Sequence, residues 1–306
     1  MKKMSVETSL DLNFPETLIE ELAYNRCVLF IGAGVSATSK NERGENMMDW
    51  EAFINEAKEL ISNAPQDLKD YVDNSIEKKD YLHALQTIRD NSTGSGPYMS
   101  KLRKAFSGNG FRSSKAHELI HNLNIKTVVS TNFDSIYENY CIASGTTQSG
   151  HIVKSYRQIE DIIHNLKSFD NLIIKAHGSI DSPDYIIFTE DDYYKSIREN
   201  FLFYKILESL FLTHTVLFVG YSLSDPDINL LFNTAANTAS QMSPHYILTT
   251  DKVHPQLLNH RKKNFNIEPI IYGNDHADLI PALEFLNLKV QEMRLERGLN
   301  HLIIDI

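Results

Sequence analysis

Asn132, Asp134 and His177 are the residues of this chain best suited to chemistry. Each follows a run of apolar residues: "TVVSTNFD" leads into Thr131, Asn132 and Asp134, and "LIIKAHGS" into His177, Gly178 and Ser179. Imidazole is the side chain best placed to move protons near neutral pH. A carboxamide donates and accepts at once, which suits it to fix a ribose hydroxyl or a water. Gly178 clears space beside the histidine. Plainer readings stand next to these: a hydrogen-bonded structural histidine, a turn asparagine, and an aspartate capping the helix "SIYENYCIA".

Two further apolar runs end in a comparable way. "VLFIGAGVS" ends in Gly32, Ala33, Gly34 and Ser36, and "VLFVGYSLSDPD" in Gly220, Tyr221 and Ser222. Glycines at a strand-to-helix turn let backbone N–H groups approach a diphosphate, with a helix N-terminus adding partial positive charge. The spacing is G-x-G-x-x-A if Ala37 is counted last. A dinucleotide fingerprint also needs an acid about twenty residues on. Asp49 and Glu51 stand there but lie in helical sequence beside Trp50, which excludes an ordinary dehydrogenase fold and leaves a simple strand-to-helix turn open. Asp225-Pro226-Asp227 reads as the N-cap, first proline and first-turn acid of the next helix.

The elements that must position these residues alternate in type. "CVLFIGAG", "IKTVVSTNFD", "NLIIKAHGS", "YIIFT", "THTVLFVGYS", "HYILTT" and "IEPIIYG" read as buried strands. "FPETLIEELAYNR", "SKAHELIHNLN" and others read as helices. Such alternation implies an α/β fold, Rossmann-like and doubly wound, around a mostly parallel sheet. From about 49 to 115 the chain is helical, interrupted by the loop composition "NSTGSGP", and reads as an insertion over one end of the sheet. The whole chain, 1–306, reads as one domain with a tail from about 291 to 306. That tail serves either a docking contact or its own core.

Composition narrows the function. The 306 residues carry a formal net charge of −10, which repels polyanions at long range, so no direct nucleic-acid binding is expected. The tightest basic cluster, "HRKK" (His260 to Lys263), reads as a solvated helix end. No apolar run is long enough to span a membrane, and the lysines at the start lead into no apolar stretch of a secretory signal. Two cysteines, Cys27 and Cys141, offer neither a four-cysteine zinc site nor a disulfide framework. A cytoplasmic protein without a metal is the expectation.

Taken in order and at their spacings, "GAGVS", "TNFD", "HGS" and "GYSLSDPD" resemble the sirtuin-like NAD-binding domain. More narrowly they resemble its bacterial branch in antiphage defence proteins that destroy NAD. The resemblance spans roughly residues 20 to 290 and includes "DWEAFI", "FTEDDYYKS" and "IEPIIY". It implies that Gly32, Ala33, Gly34 and Ser36 hold the diphosphate and adjoining ribose. It implies further that Asn132 and Asp134, with Thr131 beside them, position the nicotinamide ribose and the attacking water. His177 would be the catalytic histidine, and Gly220, Tyr221 and Ser222 would line the adenosine half.

The chain departs from the deacylases of that family. "SKNERGENMMDW" replaces their Gly-Ile-Pro-Asp-Phe-Arg element, and their four zinc cysteines are missing. The activity implied is hydrolysis of NAD+ to nicotinamide and ADP-ribose, with a cyclic product as a minor route. Such an enzyme would be gated by homo-oligomerisation or by a partner defence protein; in the family these include ATPases, Argonaute-like proteins, phage structural proteins and nucleotide signals. Two other readings remain: a non-catalytic NAD or ADP-ribose-binding subunit, and a protein deacylase or ADP-ribosyltransferase.

Overall fold

Runs of apolar residues without polar alternation form the strands of a sheet, as expected where both faces are covered. They are β1 (Cys27–Ile31), β4 (Thr127–Ser130), β6 (Asn171–Lys175), β7 (Thr215–Val219) and β8 (His245–Thr250), every residue of which is buried. The less buried β5 (His151–Ser155) and β9 (Ile267–Gly273) complete it. The strand order is β5-β6-β4-β1-β7-β8-β9, a doubly wound arrangement, and the pairs β5·β6, β7·β8 and β8·β9 are parallel. A separate two-stranded ribbon joins β2 (Lys40–Asn41) antiparallel to β3 (Phe111–Arg112).

This computed structural model describes residues 12–107, 110–144, 150–223, 228–231, 233–234 and 243–303. Asp225, Pro226 and Asp227, read above as a helix start, lie outside the described residues, as do the last three residues of the tail. Contacts divide the chain into two units, one drawn from Met1–Phe30, Lys115–Thr127 and Glu208–Ile306, the other from Ile31–Ser114 and Val128–Leu207.

In the second unit the helices Trp50–Ala57, Gln66–Glu77, Tyr81–Asn91 and Ser95–Phe106 form the expected helical stretch. Asp49 caps the first of them by accepting from the Ala52 N–H. Their apolar faces meet in a core that contains Phe53, Ile54, Leu85, Ile88 and Phe106 together with Phe133, Ile186 and Phe188. The ring of Phe133 packs against Phe106 and Phe188 with centroids 5.6 and 5.0 Å apart. The helices therefore grip the residue between Asn132 and Asp134.

Two expectations are corrected here. "NSTGSGP" is not a loop throughout, because the helix Ser95–Phe106 begins inside it and takes Pro97 into its first turn, where a missing N–H costs nothing. "YIIFT" is not a strand: Ile186, Ile187 and Phe188 are buried without joining a ladder. Burial on all sides imposes the same composition on a core-crossing segment as on a strand.

The first unit packs the helices Glu16–Ala23, Lys115–Asn122 and Leu279–Glu296. Arg294, fully buried, donates to the carbonyls of Leu22, Ala23, Leu123 and Leu302 at 2.8–3.3 Å. Through Leu302 the tail is bonded to its own unit, and Asn124 Nδ2 holds the same carbonyl at 3.0 Å. In the basic cluster His260, Lys262 and Lys263 are exposed near the end of the helix Pro255–Phe265, whereas Arg261 turns inward and donates to the Ser222 carbonyl. Cys27 and Cys141 are both buried thiols, raised by desolvation, Cys141 to about 12.

Candidate active site

The backbone leaves β4 at Ser130 and turns, and the Thr131 N–H donates to the Ile31 carbonyl at 3.2 Å. This brings the "TNFD" residues onto the glycine turn. Asn132 is 7 % exposed, and its Nδ2 donates to the Gly32 carbonyl at 3.0 Å and to Ser36 Oγ at 2.9 Å. A carbonyl can only accept, so the NH2 end of the amide must face Gly32. Ser36 Oγ in turn donates to Asp134 Oδ2 at 2.7 Å. Asp134 Oδ1 accepts from the Ile136 N–H at 3.0 Å, where the helix Ile136–Ser144 begins, so the capping role and the site role fall on the two oxygens of one carboxylate.

This leaves the other end of the amide. No donor among the described residues reaches the buried Asn132 Oδ1. A buried carbonyl oxygen without a partner costs roughly 1–3 kcal/mol, and the cost is recovered when a ligand hydroxyl or water donates to it.

The glycine turn is shorter than a dinucleotide fold requires. Gly32 is extended and buried, Ala33 and Gly34 are exposed, and the helix they open, Ala33–Ser36, is a single turn. Its dipole is correspondingly small, so an anion there would depend on individual N–H groups. The polar segment after it, which composition marks as mobile, is tied down: β2 pairs with β3, and Thr38 Oγ1 lies 2.6 Å from Ser114 Oγ. A cavity of about 510 Å3 is lined by Thr38, Lys40, Asn41, Glu42, Arg112, Ser113 and Ser114. Asn132, Asp134 and His177 are not among its walls.

His177 follows β6 and is 1 % exposed, its ring edge-on to Tyr193 at 5.3 Å. Strand β6 neighbours β4, and the Ala176 N–H bonds the Ser130 carbonyl at 2.8 Å, so the histidine and the "TNFD" segment leave adjacent strands. Both Asn132 and His177 are thus buried where their strands end. Gly178 makes room for backbone rather than for a ligand. At its φ of +82° an added Cβ would stand 2.4 Å from the Tyr185 carbonyl oxygen.

Gly220, Tyr221 and Ser222 belong to the first unit. Gly220 turns the chain with φ +61°. Tyr221 is 7 % exposed, stacked on Phe218 at 5.4 Å and tilted against Phe30 at 5.0 Å. The Ser222 side is held by Arg261 through its carbonyl.

Residues 126–270 match the SIR2-like domain family model. Over this stretch, just under half of the chain, the protein is similar to SIR2-like domains. The matched residues contain Thr131, Asn132, Asp134, His177 and Gly220 to Ser222; the Gly32–Gly34 turn precedes them. Among curated proteins the chain is similar to the NAD(+) hydrolase ThsA of Enterococcus faecium, 24% identical over 75% of this chain and 44% of that protein. It is also similar to the NAD(+) hydrolase ThsA of Cytobacillus dafuensis, 25% identical over 86% and 50%. Defense-associated sirtuin 2 of Bacillus subtilis is 26% identical over 76% and 22%. The chain spans half or less of the length of these relatives.

Proposed function

We propose that this chain hydrolyses the N-glycosidic bond of NAD+, NAD+ + H2O → ADP-ribose + nicotinamide + H+, as the NAD-depleting part of a bacterial antiphage defence. The observation that carries the reading is the Asn132–Ser36–Asp134 chain with its unpartnered, buried Asn132 Oδ1. The relatives named NAD(+) hydrolase supply the substrate class.

The leaving nicotinamide is already cationic in NAD+, so little leaving-group activation is needed. The demand is to support an oxocarbenium-like ribose and to aim water at it. Asn132 Oδ1 accepts a hydrogen from that water or from a ribose hydroxyl, and fixing the orientation removes an entropic part of the barrier. Asp134 lends the pocket negative charge, its carboxylate held by Ser36 and the Ile136 N–H. His177 takes the proton as water adds, a role worth about 10²- to 10⁴-fold. Thr131, Gly32, Ala33, Gly34 and Ser36 border the diphosphate and ribose.

Both Asn132 and His177 are almost fully buried, which supports a latent enzyme that opens on assembly with further copies or a partner defence protein. Shifting such an equilibrium from 1:99 to 99:1 takes about 5.5 kcal/mol of differential binding. The test is NAD+ turnover per subunit across a dilution series, with products separated by chromatography and oligomer size read by light scattering. Soluble ADP-ribose and nicotinamide in equal amounts, rising with assembly, are expected. Bound but uncleaved NAD+ at every concentration makes the chain a binding subunit instead, and transfer of ADP-ribose or acyl groups involving a protein makes it a transferase or deacylase.

A further inference from the structure

Strand β6 ends in a lysine. Lys175 is 2 % exposed at the end of a fully buried strand, directly after the apolar residues Leu172, Ile173 and Ile174. A buried ammonium is costly unless paired and hydrogen-bonded. Its Nζ donates to Glu138 Oε1 at 2.8 Å and to the backbone carbonyl of Asp134 at 2.5 Å. Glu138 is also deeply buried, 4 % exposed; desolvation holds its carboxyl pKa above the ordinary value, and the nearby Lys175 opposes this only in part.

Stability alone does not explain this pair. Replacing a buried ion pair by apolar side chains of similar volume is often neutral or stabilising. What an apolar pair cannot supply is the bond to Asp134. Lys175 stands two residues before His177, and the carbonyl it holds belongs to the residue two after Asn132. Flanking it, the Ala176 N–H bonds the Ser130 carbonyl at 2.8 Å and the Ile180 N–H bonds the Phe133 carbonyl at 2.9 Å. The lysine is the buried side-chain tie within a seam of backbone ties, which Ser135 Oγ extends at the surface by donating to Asp181 Oδ2 at 2.8 Å.

We infer that Lys175 is a positioning residue that fixes the Asn132–Asp134 segment against His177, Glu138 being its buried counter-charge. The inference rests on NAD+ cleavage as the reaction. It assigns Lys175 no contact with substrate: a misplacement of about 1 Å between segments can cost 10²-fold in rate, and the lysine prevents it.

The test separates position from stability. Lys175→Met leaves Glu138 unpaired and is expected to lower both the melting temperature and kcat. The double variant Lys175→Met, Glu138→Leu restores an apolar pair, so its melting temperature is expected to return towards the parent's. Its kcat stays about 10- to 100-fold down with KM within about threefold, and the amides of 131–136 exchange at least about tenfold faster. A double variant with parental kcat and parental exchange overturns the inference. If the parent itself leaves NAD+ uncleaved, the functional reading fails, and the exchange rates alone decide whether Lys175 holds the segment. Should both methionine variants fail to fold, Glu138→Gln, which keeps the lysine's bond to Asp134, is expected to hold kcat within about threefold, and a tenfold fall overturns the idea.

Discussion

After β4 and after β7 the chain does similar things in sequence and different things in space. Both strands are buried apolar runs, and both give way to small or polar residues. After β4 the polar groups bond one another, Asn132 to Ser36 to Asp134, and leave one carbonyl oxygen over. After β7 the aromatic ring of Tyr221 is spent on packing against Phe218 and Phe30, and the carbonyl of Ser222 is taken by Arg261. A polar strand end is therefore not in itself a site. The first arrangement has capacity for a ligand hydroxyl, whereas the second is chiefly a piece of core.

The sharpest break in this comparison is Asn132→Ala. It is expected to reduce NAD+ turnover by 10³-fold or more, since it removes both the free acceptor and the link to Ser36, while the melting temperature moves by a few degrees at most. Turnover within tenfold of the parent would remove Asn132 from the mechanism. Because the site is buried, melting must be followed beside the rate. Tyr221→Ala should show the reverse: about 3–5 kcal/mol lost in denaturant unfolding, as for a large aromatic removed from a core. A loss below about 1 kcal/mol would mean that the ring is not packed as described.

The first unit also carries an acid-sensitive group, outside the candidate site. His245 is buried, and the Val216 N–H donates to its Nδ1, which requires the neutral ring. Burial lowers its pKa from 6.5 to about 4. The unfolded chain therefore binds the proton first as pH falls. The stability it contributes is whole above about pH 6.5 and is lost progressively down to about pH 4, roughly 3 kcal/mol in all. Urea melts across that window should show the loss, and His245→Asn should flatten it. A smaller effect is expected from Ser36→Ala: Asn132 keeps Gly32 but loses the serine, and turnover should fall about tenfold, the value of one hydrogen bond of about 1.4 kcal/mol. An unchanged rate would show that Gly32 alone orients the amide.

Much of the fold was legible because apolar runs covered on both faces leave few alternatives; β1, β4, β6, β7 and β8 all read in this way. The edge strand β5, "HIVKS", was missed because its residues are only half buried and carry polar groups. The ribbon β2·β3 was illegible for another reason: two-residue strands that pair across some seventy residues leave no local periodicity. At the site, residue types pointed to Asn132, Asp134 and His177. What they could not reveal is that Ser36 directs its proton to Asp134, a matter of distance between residues 98 apart in sequence. Lys175 did leave a signal, a lone charge closing a run of buried apolar residues.

The chain departs for its helices at Thr38–Asn41 and returns at Phe111–Ser114, where the two ends are stitched by a ribbon and a hydroxyl pair. Drawing together positions 76 residues apart costs about 3.8 kcal/mol in chain entropy beyond a constant, and the stitch meets part of that cost. An excursion that begins and ends at one place can be shortened, lengthened or exchanged without redirecting the rest of the polypeptide, much as a cassette is changed in its frame. Energetically it is less separable. The helices bury Phe133 and Phe188, so any replacement cassette must offer those two rings an equally apolar cover, or the segment carrying Asn132 and Asp134 loses its support.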